Sequence, residues 1–221
     1  MTRIATVFGA TGKQGSSVVR ALLADGTFKP RAVTRDVNSP AARMLAEQGC
    51  EVVQVTVPFV AVSESNQGVN IIDASKEEGV RFLVFSHVGL PPFSKTDTGY
   101  VMHLMGKPNM VLPWTWIDRD MGPAVTALMK QYNARSFEII GKTFVLGVAR
   151  ATAEEVAAEL AKGKSLLIRY WDALFIAYAF STEFEWYPGV ELPDRRLGKL
   201  GVEVGSIEEF ARTTLKACVE V

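Results

Sequence analysis

Thr6-Val7-Phe8-Gly9-Ala10-Thr11-Gly12-Lys13-Gln14-Gly15-Ser16-Ser17 lies almost at the start of the chain. A short apolar run, Ile4 to Phe8, meets three glycines spaced G-x-x-G-x-x-G. Val18, Val19, Leu22 and Leu23 then recur at helical spacing. The pattern predicts strand, tight turn and helix, the order that a dinucleotide-binding fingerprint requires. Gly9 lets the chain turn sharply, Gly12 lets backbone approach a pyrophosphate, and Gly15 lets helix pack close to strand. Amides at the helix start then face the phosphates, where the helix dipole favours negative charge. The competing reading is a plain glycine-rich turn. The flanking strand and helix, and a charged residue at the end of the next strand, favour the phosphate loop.

Downstream the same alternation continues. A first helix runs from about Lys13 to Ala24, and Gly26 is placed to cap it. Pro30 to Thr34 reads as strand two, followed by Arg35-Asp36. Ser39-Pro40 opens a second helix, serine as N-cap and proline at the first helical position, with Met44 and Leu45 facing inward. Cys50 to Val57 reads as strand three. A helix over 64–78 turns Val69, Ile72 and Ala74 to its apolar side, and Arg81 to Ser86 reads as strand four. This predicts a parallel sheet with helices on both faces. Beyond Val88 the pattern changes. Tyr100 to Leu104 and Lys142 to Leu146 read as strands, and Asp120 as the N-cap of a helix with Pro123 in its first turn. Thr152-x-x-Glu155 and Ser206-x-x-Glu209 are capping boxes that open two further helices. The stretch from Leu166 to Trp186 reads as strand then helix.

Composition bounds the function. At 221 residues and 48% hydrophobic content, the chain can fill a substantial core. Lys+Arg and Asp+Glu each total 24, so no net charge recommends nucleic acid as a partner. Two cysteines do not make a disulfide framework, and the two histidines lack the neighbours of a metal site. The longest apolar run, Leu166 to Phe180, contains Arg169 and Asp172 and is too short to span a bilayer. With a strand expected from Arg3, no signal peptide is expected, and the expected compartment is the cytoplasm, with the nucleus as a second.

Arg35 is the most informative residue after the glycines. An acidic residue at the end of strand two binds the ribose 2′-hydroxyl of NAD, whereas arginine there accommodates a 2′-phosphate. A guanidinium offers phosphate a planar, permanently charged fork. Thr34 adds a hydroxyl, Asp36 is a complicating neighbour, and the preference read is NADP(H) over NAD. Thr56 at the end of strand three, and Ser86 and His87 at the end of strand four, fall where parallel sheets bind ligands. His87 is a candidate acid or base, its alternative being a rim histidine without a partner. Lys95 and Tyr100 are the other candidate catalytic residues, an acid pair with little support from spacing. Trp114, Trp116, Trp171 and Trp186 are read as packing rather than a ligand box.

Val7-Phe8-Gly9-Ala10-Thr11-Gly12-Lys13-Gln14-Gly15-Ser16-Ser17-Val18-Val19-Arg20-Ala21-Leu22-Leu23, with Ala32-Val33-Thr34-Arg35-Asp36, resembles the NmrA-like family of atypical short-chain dehydrogenases. So do Gln67 to Ala74, Gly79 to Ser86, Leu112-Pro113-Trp114, Ile117 to Val125, Gly141 to Phe144 and Phe184 to Tyr187. The resemblance implies an α/β, Rossmann-like, doubly wound parallel sheet binding NADP(H) over residues 1–135. It also implies a small C-terminal α/β subdomain over 136–221 for a substrate or partner. Gly9, Thr11, Gly12, Lys13, Gln14, Gly15, Thr34, Arg35, Thr56 and Ser86 then carry the cofactor. Many members look like redox sensors that bind cofactor and regulate other proteins, and others are reductases or isomerase-like enzymes; the alternative expected for this chain is an NADPH-dependent reductase of a small carbonyl or quinone-like substrate. This chain departs from the family in its middle. Glu51 to Val57 stands where the family has two strands and a crossover, which parallel strands need. A second gap falls between Lys95 and Asp97, leaving Lys95 as the relic of the family's active-site lysine. The expectation is an internally shortened member that keeps the phosphate loop and has a depleted catalytic constellation.

Overall fold

The computed structural model describes residues 3–55, 64–86, 93–96, 99–105, 110–160, 166–171 and 187–215. They fall into two compact units, one comprising Met1–His87 and Met121–Lys142, the other Val88–Asp120 and Thr143–Val221.

The first unit alternates strand and helix: β1 (Arg3–Phe8), α1 (Lys13–Asp25), β2 (Phe28–Thr34), α2 (Pro40–Glu47), β3 (Glu51–Gln54) and α3 (Glu64–Glu77). The strands form a parallel sheet in the order β1-β2-β3, with Phe8 opposite Val33 and Thr34 opposite Gln54. Ala10, Val19, Ala32, Leu45 and Cys50 form a buried cluster against which Val7, Leu23 and Val52 pack. Burying an aliphatic side chain such as Val19 or Leu22 contributes about 1.5–3 kcal/mol. Gly26 takes the left-handed conformation and its amide bonds the Leu22 carbonyl at 3.0 Å, ending α1 as expected. Ser39 caps α2 by accepting the Ala42 amide, with Pro40 at the first helical position.

Several expectations need correction. Residues 81–86 form no strand, and β3 leaves out Cys50 and Val55, while Thr56 and Val57 lie outside the described residues. Phe82 stacks on Tyr132, ring centroids 4.8 Å apart, and Ser86 bonds Gln14, while Leu83 and Phe85 are exposed. Val69 and Ile72 of α3 are exposed, so the helix forms without burying the face assigned to it. Met44 is also exposed while Leu45 is buried, because adjacent helical residues point about 100° apart and only one meets the sheet.

The second unit contains the antiparallel pair β4 (Phe93–Thr96) and β5 (Gly99–Met105), with β8 (Leu166–Trp171) parallel to β5. A separate two-stranded sheet pairs β6 (Leu112–Trp114) with β7 (Ala149–Ala151). Helices α5 (Ala153–Leu160), α6 (Arg195–Lys199) and α7 (Ile207–Phe210) follow, the last continuing as a π turn over Ala211–Leu215. Trp114, Ala151, Ala153, Val156 and Leu160 form its core, and the Trp114 indole donates to the Ala151 carbonyl at 3.0 Å. Trp114 and Trp116 are buried packing residues, as read. The Thr152 box closes in both directions: the Glu155 amide reaches the Thr152 hydroxyl, and the Thr152 amide reaches the Glu155 carboxylate. The Ser206 box closes in one, since Ser206 accepts the Glu209 amide while the Glu209 carboxylate pairs with Arg119 at 3.3 Å. Lys142 to Leu146 forms no strand. The Val145 amide bonds Asp194 and the Thr143 carbonyl accepts from Arg196, so side chains replace a ladder there. Among the described residues, no helix is long and apolar enough to cross a membrane.

Helix α4 (Ile117–Gln131) begins four residues earlier than expected, so Asp120 is in its first turn rather than at its cap, and Pro123 lies inside it. Within the first unit, the Gly122 amide donates to the buried Ser17 hydroxyl at 3.2 Å. A Cβ on Gly122 would lie 2.4 Å from the Ser17 carbonyl oxygen and 2.7 Å from Ala21 Cβ. Gly122→Ala is therefore expected to destabilise by about 1–3 kcal/mol through overpacking. Gly198→Ala in α6, where a Cβ meets nothing within 4 Å, is expected to be neutral or stabilising. Opposite signs in urea-unfolding midpoints check the pair.

Candidate functional site

The glycine loop joins β1 to α1 through a tight turn. Gly9 has φ +64°, a left-handed conformation that suits glycine, and the Gly12 amide closes the turn on the Gly9 carbonyl at 2.9 Å. Gly12 is the N-cap of α1, extended at φ −85° and ψ 171°, and among the described residues no side-chain cap bond is made there. Helix starts leave amides without intrahelical partners, so an uncapped one suits an anion. Gly15 sits against the turn itself: a Cβ there would lie 2.3 Å from the Gly9 oxygen and 2.8 Å from Ala10 Cα. A Cβ on Gly12 would lie 3.3 Å from the same oxygen. The loop is therefore a tight glycine turn leading into a helix start, with the third glycine demanded by packing.

Of the other proposed cofactor residues, Thr34 and Ser86 make contact with the loop or the start of α1. Ala10 is fully buried, and its amide bonds the Val33 carbonyl at 3.3 Å, tying loop to β2. Thr34 ends β2, buried, with its hydroxyl 3.5 Å from that of Thr11. Arg35 follows, exposed. Ser86 donates to Gln14 Oε1 at 2.9 Å and approaches the Met121 sulfur at 4.0 Å, so residues 72 positions apart in sequence meet at the start of α1. Lys13 is exposed on the first helical turn. Thr56 and His87 lie outside the described residues. Lys95 and Tyr100 belong to the other unit, where the β4–β5 ladder sets them directly opposite each other.

Sequence reading missed the role of Asp36. Its carboxylate accepts the Asn38 amide at 2.8 Å, forming the turn into α2. An aspartate two residues before an asparagine and three before a capping serine is the legible signal for such a turn. The Ser17–Gly122 contact left no comparable trace, because it joins residues 105 apart.

In the second unit two buried aspartates titrate in opposite senses. Burial lifts Asp120 above the ordinary aspartate value, outweighing the Arg119 guanidinium at 2.7 Å and the Gly205 amide at 3.0 Å. Its other oxygen has no partner among the described residues. Burial also opposes ionisation of Asp194. The Arg196 side chain and the Arg196 and Val145 amides more than offset it, holding Asp194 below the ordinary value.

Residues 1–58 match the model of the NmrA-like family. The NmrA-like family domain-containing oxidoreductase notA' of Aspergillus versicolor is 56% identical over 52 residues, 24% of this chain and 15% of that protein. The corresponding oxidoreductase malD of Malbranchea aurantiaca is 37% identical over 114 residues, 38% of this chain and 34% of that protein. As 38% of 221 residues is well under 114, part of the relative faces no residue here, as internal shortening requires. The chain spans about a third or less of the length of these two relatives. Among solved structures, NmrA, a negative transcriptional regulator in complex with NADP, superposes with a TM-score of 0.65 at 15% identity, covering 100% of this chain and 99% of that one. A triphenylmethane reductase of Citrobacter sp., complexed with NADP(H), gives 0.61 at 15% identity, covering 95% and 99%. These likenesses define the class as a Rossmann-like α/β fold. Over residues 1–58 the sequence is similar to the NmrA-like family.

The opposed aspartates generate a pH prediction. A carboxyl held low in the folded state stabilises above its unfolded pKa, and that stabilisation is lost as pH falls through the folded pKa. Asp194→Asn keeps the helix cap and removes the charge. It should cost about 1–3 kcal/mol near neutrality, and the difference from wild type should shrink as the solution is acidified through the aspartate range. For Asp120, held high, the sign reverses: its contribution is present in acid and is lost as pH rises. Unfolding midpoints across pH for Asp194→Asn and Asp120→Asn check both signs.

Proposed function

We propose that this chain is an NAD(P)(H)-binding protein of the NmrA-like kind, with NADP(H) preferred, and that it acts as a redox-responsive regulatory binder with weak or no turnover. The observation that carries the reading is the cradle, where Gly15 leaves room for helix α1 to start against the Gly9 carbonyl behind an uncapped N-terminus. Gly9, Thr11, Gly12, Lys13, Gln14 and Gly15 would hold the pyrophosphate, with Thr34 and Arg35 at the adenosine ribose. Thr56 and Ser86 remain proposed cofactor contacts. When bound, such a dinucleotide supplies a transferable hydride at its nicotinamide ring. The described side chains gathered at the loop, Thr11, Gln14, Thr34 and Ser86, are hydroxyls and an amide, which bind and orient but do not titrate near neutral pH. That supports binding over proton transfer. A protein partner that reads the bound state, rather than nucleic acid or membrane, completes the proposal. Solved NmrA bound to NADP, described as a negative transcriptional regulator, supports it by analogy of fold.

A second reading, an NADPH-dependent reductase of a small carbonyl or quinone-like substrate, draws on Lys95 and Tyr100 standing opposite each other in the β4–β5 ladder. The oxidoreductase relatives and the Citrobacter reductase support that alternative. His87 is its other candidate acid.

Calorimetric titration of the full chain with NADPH is expected to show saturable binding at sub-millimolar cofactor; no binding at millimolar cofactor would sink the proposal. Gly15→Ala should abolish binding of NADP and NAD alike. Arg35→Ala should weaken NADP about 10- to 100-fold and NAD far less, because a charge-assisted hydrogen bond to phosphate contributes about 1.5–3 kcal/mol. Oxidation of NADPH that depends on an added quinone or aldehyde, and that Tyr100→Phe removes, would favour the reductase instead.

A further inference from the structure

Asp36 lies next to Arg35, and an acidic residue at the end of strand two ordinarily selects NAD. Here its polar atoms are engaged locally. The Asp36 amide donates to the Thr34 hydroxyl at 3.3 Å. Its carbonyl accepts the Ser39 hydroxyl at 2.9 Å and the Ser39 amide at 3.4 Å. Its Oδ1 accepts the Asn38 amide at 2.8 Å. Ser39 in turn caps α2 through the Ala42 amide at 3.3 Å. Asp36 is thus the anchor of the turn from β2 into α2, with three of its four polar groups engaged.

We propose that Asp36 is a specificity-determining residue that acts by being withheld: the turn into α2 holds its carboxylate off the ribose and leaves Arg35 to meet the 2′ position. This rests on the dinucleotide reading above. A carboxylate at the ribose accepts hydrogen bonds from the 2′- and 3′-hydroxyls of NAD and repels the 2′-phosphate of NADP. With one of its two oxygens held by the Asn38 amide, the carboxylate can serve both hydroxyls only poorly. The Asn38 backbone amide and the Ser39 hydroxyl are therefore part of the selectivity, although neither needs to touch the ligand.

The test titrates NADP and NAD separately into the full chain as wild type, Asp36→Asn and Asn38→Pro, with circular dichroism confirming the fold. Asparagine keeps the acceptor oxygen and so the turn, while removing the charge. NAD affinity should then stay within about twofold of wild type, with NADP unchanged or tighter. Proline removes the amide that holds the carboxylate. NAD should then gain on NADP by about two- to tenfold, the scale of one net hydrogen bond. A loss of NAD affinity of about tenfold or more in Asp36→Asn would show the carboxylate already on the ribose and overturn the inference. An unchanged ratio in a folded Asn38→Pro protein would overturn it as well. Should that variant not fold, Asp36→Asn still decides. Wild-type protein binding neither dinucleotide removes the cofactor reading and this inference with it, whereas a failure confined to the variants removes the inference alone.

Discussion

Helix α1 starts in contact with the turn that precedes it. The space between Gly15 and the Gly9 carbonyl is too small for a methyl group, and much of the first unit depends on that closeness. It seats α1 on the sheet, so that Val19 joins Ala10, Ala32, Leu45 and Cys50 in one buried cluster. It places the first turn of α1 where Gln14 meets Ser86. It also keeps the loop low enough for the Ala10 amide to reach the Val33 carbonyl, which sets Thr11 beside Thr34. A single absent side chain couples packing to the geometry of the anion cradle.

The second unit is held differently. Beside its ladders, side chains tie several backbone groups together. Asp194 caps α6, pairs with Arg196 and takes the Val145 amide. Asp120 joins the first turn of α4 to the Gly205 amide, while Arg119 reaches the Glu203 carbonyl and Glu209. Arg150 donates to the carbonyls of Tyr187 and Val190. Buried polar groups of this kind are costly when left incomplete, so their satisfaction specifies the arrangement as much as it stabilises it.

Reading the sequence succeeded where local chemistry decides the outcome. Ser39-Pro40, the Thr152 box, Gly26 and the glycine loop are short-range signals in which cap, turn and helix lie within a few residues of one another. It failed where a segment's state depends on a distant neighbour. Residues 81–86 have strand-forming side chains, yet their aromatic contacts are to Tyr132 and their hydroxyl bond is to Gln14. Asp120 looks like a cap because Pro123 follows, yet the Arg119 guanidinium and the distant Gly205 amide bond it inside the helix. Strand propensity reflects packing context more than backbone preference, which is why such segments mislead.

By itself the sequence determined the alternating α/β order of the first fifty residues, the glycine turn and the NmrA-like character of the N-terminal quarter. All follow from periodicity, capping and the absence of side chains at fixed spacing. Only tertiary structure decided that Gly15 is required by a carbonyl six residues earlier, that Gly122 lies against α1, and that Asp36 turns into α2 beside an exposed Arg35. Those outcomes depend on distances between atoms that spacing in sequence does not encode, because a close approach or a shared hydrogen is settled only once both partners are in place. The loop with which the chain begins was thus legible as a motif, and the packing that makes it a cradle was not.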